Sequence, residues 1–180
     1  MPLPMAHGLI GASIVAGVRP ASHRGLAPLI AGAFLANAAD LDFGAVFLLD
    51  SGSLHRSFTH SLVFALAICS LLVVLFGMRQ LRLALAYGLA YASHGLLDSI
   101  ATRDGVGVAL FWPFTTERFA FGWPGVSALP FRLSVLGLIE SSIVEFLFFA
   151  PFLVFALCVR QLAPSIRGRN KAELIEPGLH

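Results

Sequence analysis

Histidine and aspartate side chains in a few short stretches of this chain could together hold a divalent metal ion. Neutral imidazole and carboxylate form a ligand set that suits zinc, and also manganese or iron. Zinc is the preferred candidate, and the number of side chains is enough for one to three ions. The candidate ligands are His7, Asp40, Asp42, His55, His60, His94 and Asp98.

The spacing of these side chains suits coordination. In SHGLLDS, His94 and Asp98 are four residues apart and therefore project from one face of a helix. In HRSFTHS, His55 and His60 are five residues apart, which on one continuous helix would separate their directions by about 140°. A helix that begins between them, with Ser57 as its N-cap, would let both imidazoles converge.

Other polar residues indicate chemistry beyond binding. Asp40 and Asp42 follow a predicted helix, where an irregular backbone could turn both carboxylates toward one cation. An uncoordinated carboxylate, Asp42 or Glu140, could be the catalytic base, although Glu140 could equally be a hydrogen-bonded packing residue, as is expected for Glu145. Arg56 could bind a substrate phosphate or anchor its helix at the membrane interface.

The composition is that of a membrane protein. Hydrophobic residues make up 57% of the 180 positions and charged residues only 12%, whereas a soluble domain has about a quarter of its residues charged. The mean hydropathy is +0.84. Basic residues are scattered singly between apolar runs, so no nucleic-acid binding is expected. Cys69 and Cys158 fall inside apolar runs and form no metal or disulfide pattern.

Five apolar segments predict an all-α, multi-pass membrane bundle of about five helices, with the metal site at one end. They span residues 6–18, 25–39, 58–77, 82–100 and 134–160. Small residues four apart, such as Gly32 and Ala36, would let helices approach closely, or are simply common in such helices. The bundle forms one membrane-embedded domain, residues 1–162, and residues 163–180 form a polar, mobile tail.

If the helices alternate in direction, all seven candidate ligands fall on one side of the membrane. The other side collects eight of the twelve basic residues. By the positive-inside rule, the basic side and the C-terminus are cytoplasmic and the metal site is on the outer face. The aromatic segment 102–125 suits the headgroup region, where it could cover the site as a lid or lie inertly at the interface.

Several motifs together resemble the LexA-regulated, membrane-bound metal-dependent hydrolase family of bacterial inner membranes. They are the early histidine, the aspartate pair, HRSFTHS, SHGLLD and TRDGVGVALFWPF, within roughly residues 7–114, and HRSFTHS is the most specific. The resemblance implies that the seven candidates are metal ligands. Many members have a proline before the first aspartate and a histidine after the second, where this chain has Ala39 and Phe43. The family is distantly similar to the zinc-dependent phospholipase C and P1 nuclease group.

These observations lead to the hypothesis of a metal-dependent hydrolase in the bilayer of the bacterial inner membrane. It would cleave an ester or phosphoester, in a lipid or lipid-linked substrate, with water activated by the metal. The alternative is a metal-binding transporter or sensor without hydrolytic activity. A transporter would need polar groups near the bilayer midplane, and the middles of the third and fourth predicted helices have none. A third possibility is a structural ion that holds helix ends together.

Overall fold

Apolar segments form a series of helices joined by short turns in this computed structural model, which describes residues 2–49, 55–101, 106–123 and 134–175. The prediction of an all-α fold is confirmed. Within these ranges, 3-10 turns at Ala38–Leu41, Phe58–His60 and Met78–Gln80 connect helices. The α-helices of the described ranges are α1 (Pro4–Val18), α2 (Ala27–Asn37), α3 (Asp42–Leu49), α4 (Leu62–Phe76), α5 (Leu81–Ile100) and α6 (Val135–Ile175).

The start of α4 differs from the prediction that Ser57 caps this helix. Residues Phe58–His60 form a 3-10 turn, and Ser61 is the N-cap because its hydroxyl accepts a hydrogen bond from the Phe64 N–H at 3.1 Å. His60 therefore lies before α4 rather than in its first turn. At its other end α4 stops at Gly77, whose φ of +74° is readily adopted only by glycine.

Helix α1 is at the centre of the bundle and packs against α2, α5 and α6. Small residues allow this, as predicted. A Cβ atom on Gly11 would lie 2.5 Å from the backbone oxygen of Gly32 on α2, so the two helices touch backbone to backbone. The buried core next to this contact consists of Tyr87 together with small and branched side chains from α1, α2 and α5, including Val15, Leu29 and Ala90.

By length and composition, one helix of the described residues can cross a bilayer alone. This stretch is Val135–Leu162, of which only 11% is buried inside the protein, so most of it is available to lipid. Helices α4 and α5 pass the same test only as a pair, with a bend of 116° between them, and α1 is shorter than a span. The multi-pass arrangement and its orientation therefore stay predictions.

Two features of the helices were not predicted: the presence of α3, and how far α6 continues. Helix α3 follows the 3-10 turn where an irregular backbone was expected around Asp42. Helix α6 runs to Ile175 without a break across the predicted domain boundary at residue 162. Within α6, Glu145 is buried and accepts the Leu3 N–H with both carboxylate oxygens at 2.9 Å. Its predicted packing role is confirmed, and it ties the start of α1 to α6.

Candidate metal centre

The structure brings all seven predicted ligands together at one end of the helices. They come from the first turns of α1, the 3-10 turn after α2, the start of α3, the segment before α4 and the last turns of α5. Among the described residues, six of these side chains form two groups of three, and within each group the ligand atoms lie within 4.8 Å of one another. One group is fully buried, and the other is partly exposed. The first is His7, His94 and Asp98, and the second is Asp40, His55 and His60.

Three ligand atoms, one from each of three elements, form a nearly regular triangle. The Nε2 atoms of His60 and His94 are 3.1 Å apart. Asp40 Oδ1 lies 3.4 Å from His60 Nε2 and 3.3 Å from His94 Nε2. Two ligands of one tetrahedral zinc ion, each bound at about 2.0–2.1 Å, lie about 3.3 Å apart. The triangle therefore has the size of one face of a zinc site.

Hydrogen bonding determines which His94 nitrogen carries the proton. His94 Nδ1 lies 2.6 Å from the carbonyl oxygen of Ala36, at the end of α2. A carbonyl only accepts hydrogen bonds, so Nδ1 must donate. In a neutral imidazole the other nitrogen is then a bare acceptor. His94 Nε2 therefore presents a lone pair to the triangle.

His60 is held in the same tautomer by a chain of hydrogen bonds. The Thr59 hydroxyl donates its single proton to Asp42 Oδ2 at 2.8 Å. It must then accept a hydrogen bond from His60 Nδ1, which lies 3.0 Å away. In neutral His60 the Nε2 atom is consequently bare as well. Two imidazole lone pairs and a carboxylate oxygen thus face one another, an arrangement that a cation stabilises.

Asp40 is the charged corner of the triangle. Burial acts to raise the pKa of its carboxyl group, but hydrogen bonds from the imidazoles of His60 and His94 in their protonated form outweigh burial and hold the pKa well below its usual range. The group is therefore an acceptor-only carboxylate at neutral pH. Its Oδ1 atom is buried without a hydrogen-bond partner, while the side chain as a whole is 19% exposed.

The buried group also contains polar atoms without partners. His7 is fully buried, and neither of its ring nitrogens makes a hydrogen bond. Both oxygens of the buried Asp98 also lack hydrogen-bond partners, although Oδ1 lies 3.4 Å from His7 Nε2. The His7 ring stacks on His94 with centroids 3.9 Å apart. Leaving such atoms unsatisfied is costly, so the donor set fits a divalent cation.

Asp42 differs from the other carboxylates because both its oxygens are engaged. Oδ1 lies 3.0 Å from His55 Nδ1, and Oδ2 accepts from Thr59. Nε2 of His55 is buried without a hydrogen-bond partner. A carboxylate that fixes one imidazole nitrogen and leaves the other available is a common outer partner of metal-binding histidines. The geometry makes Asp42 an orienting residue, and its role as ligand or base stays a prediction.

Arg56 and Glu140 occupy very different places. Arg56 is 4% exposed, has a left-handed φ of +58°, and its Nε lies 3.8 Å from Asp98 Oδ2. It is positioned to compensate the Asp98 charge, and its role in binding a substrate phosphate stays a prediction. Glu140 is exposed on α6 and belongs to neither ligand group. The structure does not bring it to the cluster, and its catalytic role stays a prediction.

Two residues that support the site were missed. Gly95 lies near the end of α5, between His94 and Asp98, and a Cβ there would collide with the backbone carbonyl of His60. A glycine inside a helix, next to candidate ligands, was the available signal. The Tyr91 hydroxyl donates to the carbonyl of Thr59 at 2.9 Å. Both residues set the distance between α5 and the turn that carries His60.

The aromatic loop, residues 106–123, is fastened by backbone hydrogen bonds to segments that carry ligands. The N–H of Ala109 donates to the Arg56 carbonyl at 3.0 Å, and that of Phe121 to the Ser99 carbonyl at 2.7 Å. The part of TRDGVGVALFWPF at 102–105 lies outside the described residues. The loop holds the segment before α4 against the end of α5, and whether it also acts as a lid stays open.

An apolar cavity of about 400 Å³ lies beside the cluster, between α2 and α4. Asp42 and Thr59 form its polar part. Apolar side chains, among them Leu35, Phe64 and Ile68, form the rest. The cavity therefore has apolar walls and borders the partly exposed side of the ligand cluster.

Comparisons with known proteins agree with a membrane location. A family model described as "YdjM inner membrane protein" matches residues 1–165. The "Inner membrane protein YbcI" of Escherichia coli (strain K12) is 40% identical over 116 residues, which cover 59% of this chain and 65% of that relative. The chain thus spans less than two thirds of its relative. The predicted bacterial inner-membrane location is confirmed, while neither description mentions LexA, hydrolysis or nucleases. No solved structure matches this chain.

Proposed function

The chain belongs to the YdjM family of inner membrane proteins, and we propose that it is a metal-dependent hydrolase acting on an ester or phosphoester at the membrane. The observation that carries the proposal is the triangle of acceptors formed by His60, His94 and Asp40, with edges of 3.1–3.4 Å. Three protein ligands leave a tetrahedral ion one open position, which is the pattern of catalytic rather than structural zinc.

The chain's own residues have distinct tasks in this scheme. His60, His94 and Asp40 hold the ion, and the hydrogen bonds of Thr59 and the Ala36 carbonyl keep both imidazoles aimed at it. A divalent cation in this position supplies Lewis acidity, which lowers the pKa of water and polarises a phosphoryl or acyl oxygen. His7 and Asp98, on the buried side, would serve a second ion and not fill the open position of the first.

The cavity between α2 and α4 supports a lipid or lipid-linked substrate. Its apolar lining suits a hydrocarbon chain, and its polar part at Asp42 and Thr59 adjoins the partly exposed ligand group. A membrane protein can admit such a substrate sideways from the bilayer. The cavity volume of about 400 Å³ is within the range of small-molecule sites.

A structural ion is the second candidate, and the complete burial of His7, His94 and Asp98 favours it. An ion there would join α1 to α5 and stabilise the bundle. The two candidates differ in one consequence. A structural ion predicts that chelation lowers stability with no turnover to lose, whereas the hydrolase also loses activity.

Elemental analysis of the purified protein tests metal binding. We expect bound zinc, or another divalent ion, in the wild type and a loss of at least one ion in His60→Ala. The matched control is His23→Ala, because His23 lies outside the cluster, beside Ser22 in the turn after α1. Equal metal content in all three proteins would exclude the site.

Hydrolysis is tested on phosphodiester and phospholipid substrates with the metal-loaded protein in detergent. We expect activity in the wild type and in His23→Ala, and its loss in His60→Ala and after chelation. Metal-loaded wild type that cleaves none of these substrates, yet unfolds more easily after chelation, would refute the hydrolase and support the structural ion. Ion uptake into sealed vesicles would instead support a transporter.

A further inference from the structure

Four arginines meet at the end of the helices opposite the candidate metal centre. Arg19 ends α1, Arg24 follows it, Arg82 lies in the first turn of α5, and Arg160 lies on α6. The first three are close enough to Arg160 for their charges to repel its guanidinium group. Together they are called the arginine cluster.

The hydrogen bonds of the arginine cluster go to backbone carbonyls. Arg160 donates from Nη1 to the carbonyl of Arg19 at 2.7 Å and from Nη2 to that of Pro20 at 2.9 Å. Arg82 Nε donates to the carbonyl of Val18 at 2.7 Å. The end of a helix carries only about half a negative charge. These contacts hold the side chains in place without balancing four positive charges.

Carboxylates do not balance the cluster either. Among the described residues, none of the four guanidinium groups forms an ion pair with an aspartate or glutamate. Arg19 is only 5% exposed. Its Nη1 donates to the Gly25 carbonyl at 2.7 Å, but its Nε is buried without a hydrogen-bond partner. The cluster thus has both a surplus of positive charge and a buried donor to offer.

We infer that the arginine cluster binds the phosphate group of an anionic phospholipid. Guanidinium groups donate several hydrogen bonds to phosphate oxygens, and basic pockets between helices of membrane proteins bind anionic headgroups. Arg24 and Arg82 are exposed and accessible to such a headgroup. Arg82 and Asp98 are 16 residues apart on α5, which is about 24 Å, so this site is separate from the metal centre.

The test measures lipid retention by native mass spectrometry of the full-length protein in neutral detergent. Phosphatidylglycerol is compared with phosphatidylcholine, which has the same phosphate but no net charge. We expect preferential retention of phosphatidylglycerol. The double variant Arg24→Gln/Arg82→Gln should weaken this binding about 20-fold, since each arginine near a charged membrane surface contributes about fivefold. The charge-conserving pair Arg24→Lys/Arg82→Lys should keep most of the preference.

Arg79→Gln is the matched control, because Arg79 is an exposed arginine near the start of α5 that is not among the charges acting on Arg160. Equal retention of both lipids, or an equal loss of preference in Arg79→Gln, would overturn the inference. Inorganic phosphate distinguishes the source of the ligand. Stabilisation of the lipid-free protein by phosphate alone, with no response to phosphatidylglycerol, would assign the site to a soluble anion and reject the lipid.

Discussion

The two ends of the helix bundle bring like groups together in opposite ways. At the arginine cluster, nearly every donor described above meets a backbone carbonyl at hydrogen-bond distance. At the metal centre, acceptors such as His60 Nε2, His94 Nε2 and Asp40 Oδ1 face one another instead. At the arginine cluster, the described donors are mostly hydrogen-bonded, but the positive charges are not balanced by carboxylates. At the metal centre, buried polar atoms of Asp98 and His7 lack hydrogen-bond partners among the described residues.

Among the described residues, most of the unsatisfied buried atoms belong to the metal centre, while Arg19 Nε lies at the other end. The same helices, α1 and α5, contribute to both ends. They bind arginine donors to backbone carbonyls at one end and leave acceptors facing each other at the other. An unsatisfied acceptor costs about 1–3 kcal/mol, and a cluster of them persists in a stable fold when something else binds there. The metal centre is therefore the end that a cation completes.

The largest effect is expected from Gly95→Ala, which forces the two sides of the metal centre apart. A Cβ at this position would collide with the His60 carbonyl, so α5 has to shift, at a cost of about 1–3 kcal/mol or more. Metal content should fall together with the thermal midpoint. The control is Gly17→Ala, where a Cβ meets nothing within 4 Å. An intact metal centre in Gly95→Ala would disprove this account of the site.

Thr59→Val should lower metal affinity about 10- to 100-fold, the usual cost of removing an outer partner of a ligand. The hydroxyl links Asp42 Oδ2 to His60 Nδ1, and without it the His60 ring is free to take the wrong tautomer. Thr59→Ser keeps the hydroxyl and should bind metal nearly as well as the wild type. Titration calorimetry compares the three proteins, and equal affinities would mean that Thr59 does not orient His60.

His7→Phe should stabilise the metal-free protein by about 1–2 kcal/mol while weakening metal binding, because it removes two buried nitrogens without partners. The phenyl ring can keep the stacking on His94. Arg19→Leu at the other end should have the reverse effect on stability, since Arg19 donates to Gly25. Thermal unfolding in chelator compares both with the wild type. A destabilised His7→Phe protein would show that His7 stabilises the fold rather than a bound ion.

Arg82→Gln should have the smallest effect. It removes one exposed hydrogen bond, from Arg82 Nε to the Val18 carbonyl, which contributes about 0.5–1.5 kcal/mol. The thermal midpoint should fall by a few degrees, and metal content should stay at the wild-type value. A loss of metal in this variant would show that the two ends are coupled, contrary to the separation described above.

Much of the fold was predictable because long apolar runs determine where helices form. The convergence of the seven ligands was predictable too, since the direction of successive helices decides on which side their ends fall. Helix α3 was missed because a short apolar stretch after Asp42 does not distinguish a helix from a loop. The cap at Ser61 was missed because Ser57 offers the same hydroxyl four residues earlier.

What could not be predicted is which atom of each side chain faces the centre. Residue spacing identified both Asp42 and Asp98 as candidate ligands. The structure separates them, because Asp42 has partners on both oxygens and Asp98 has none among its hydrogen bonds. That difference depends on three-dimensional neighbours such as Thr59, which no local pattern reveals. The same holds for Glu140, whose place on the exposed face of α6 follows from how that helix is rotated.

The hydrogen bond from His94 Nδ1 to the Ala36 carbonyl connects occupancy of the centre to the end of α2. A metal ion bound at His94 Nε2 would withdraw electrons from the imidazole ring and make the proton on Nδ1 more acidic. The hydrogen bond to the Ala36 carbonyl would therefore become stronger when the metal binds. Metal binding at His94 would then stabilise the last turn of α2 and slow its fraying. Hydrogen exchange of the backbone amides at the end of α2 would therefore detect metal binding in the absence of substrate.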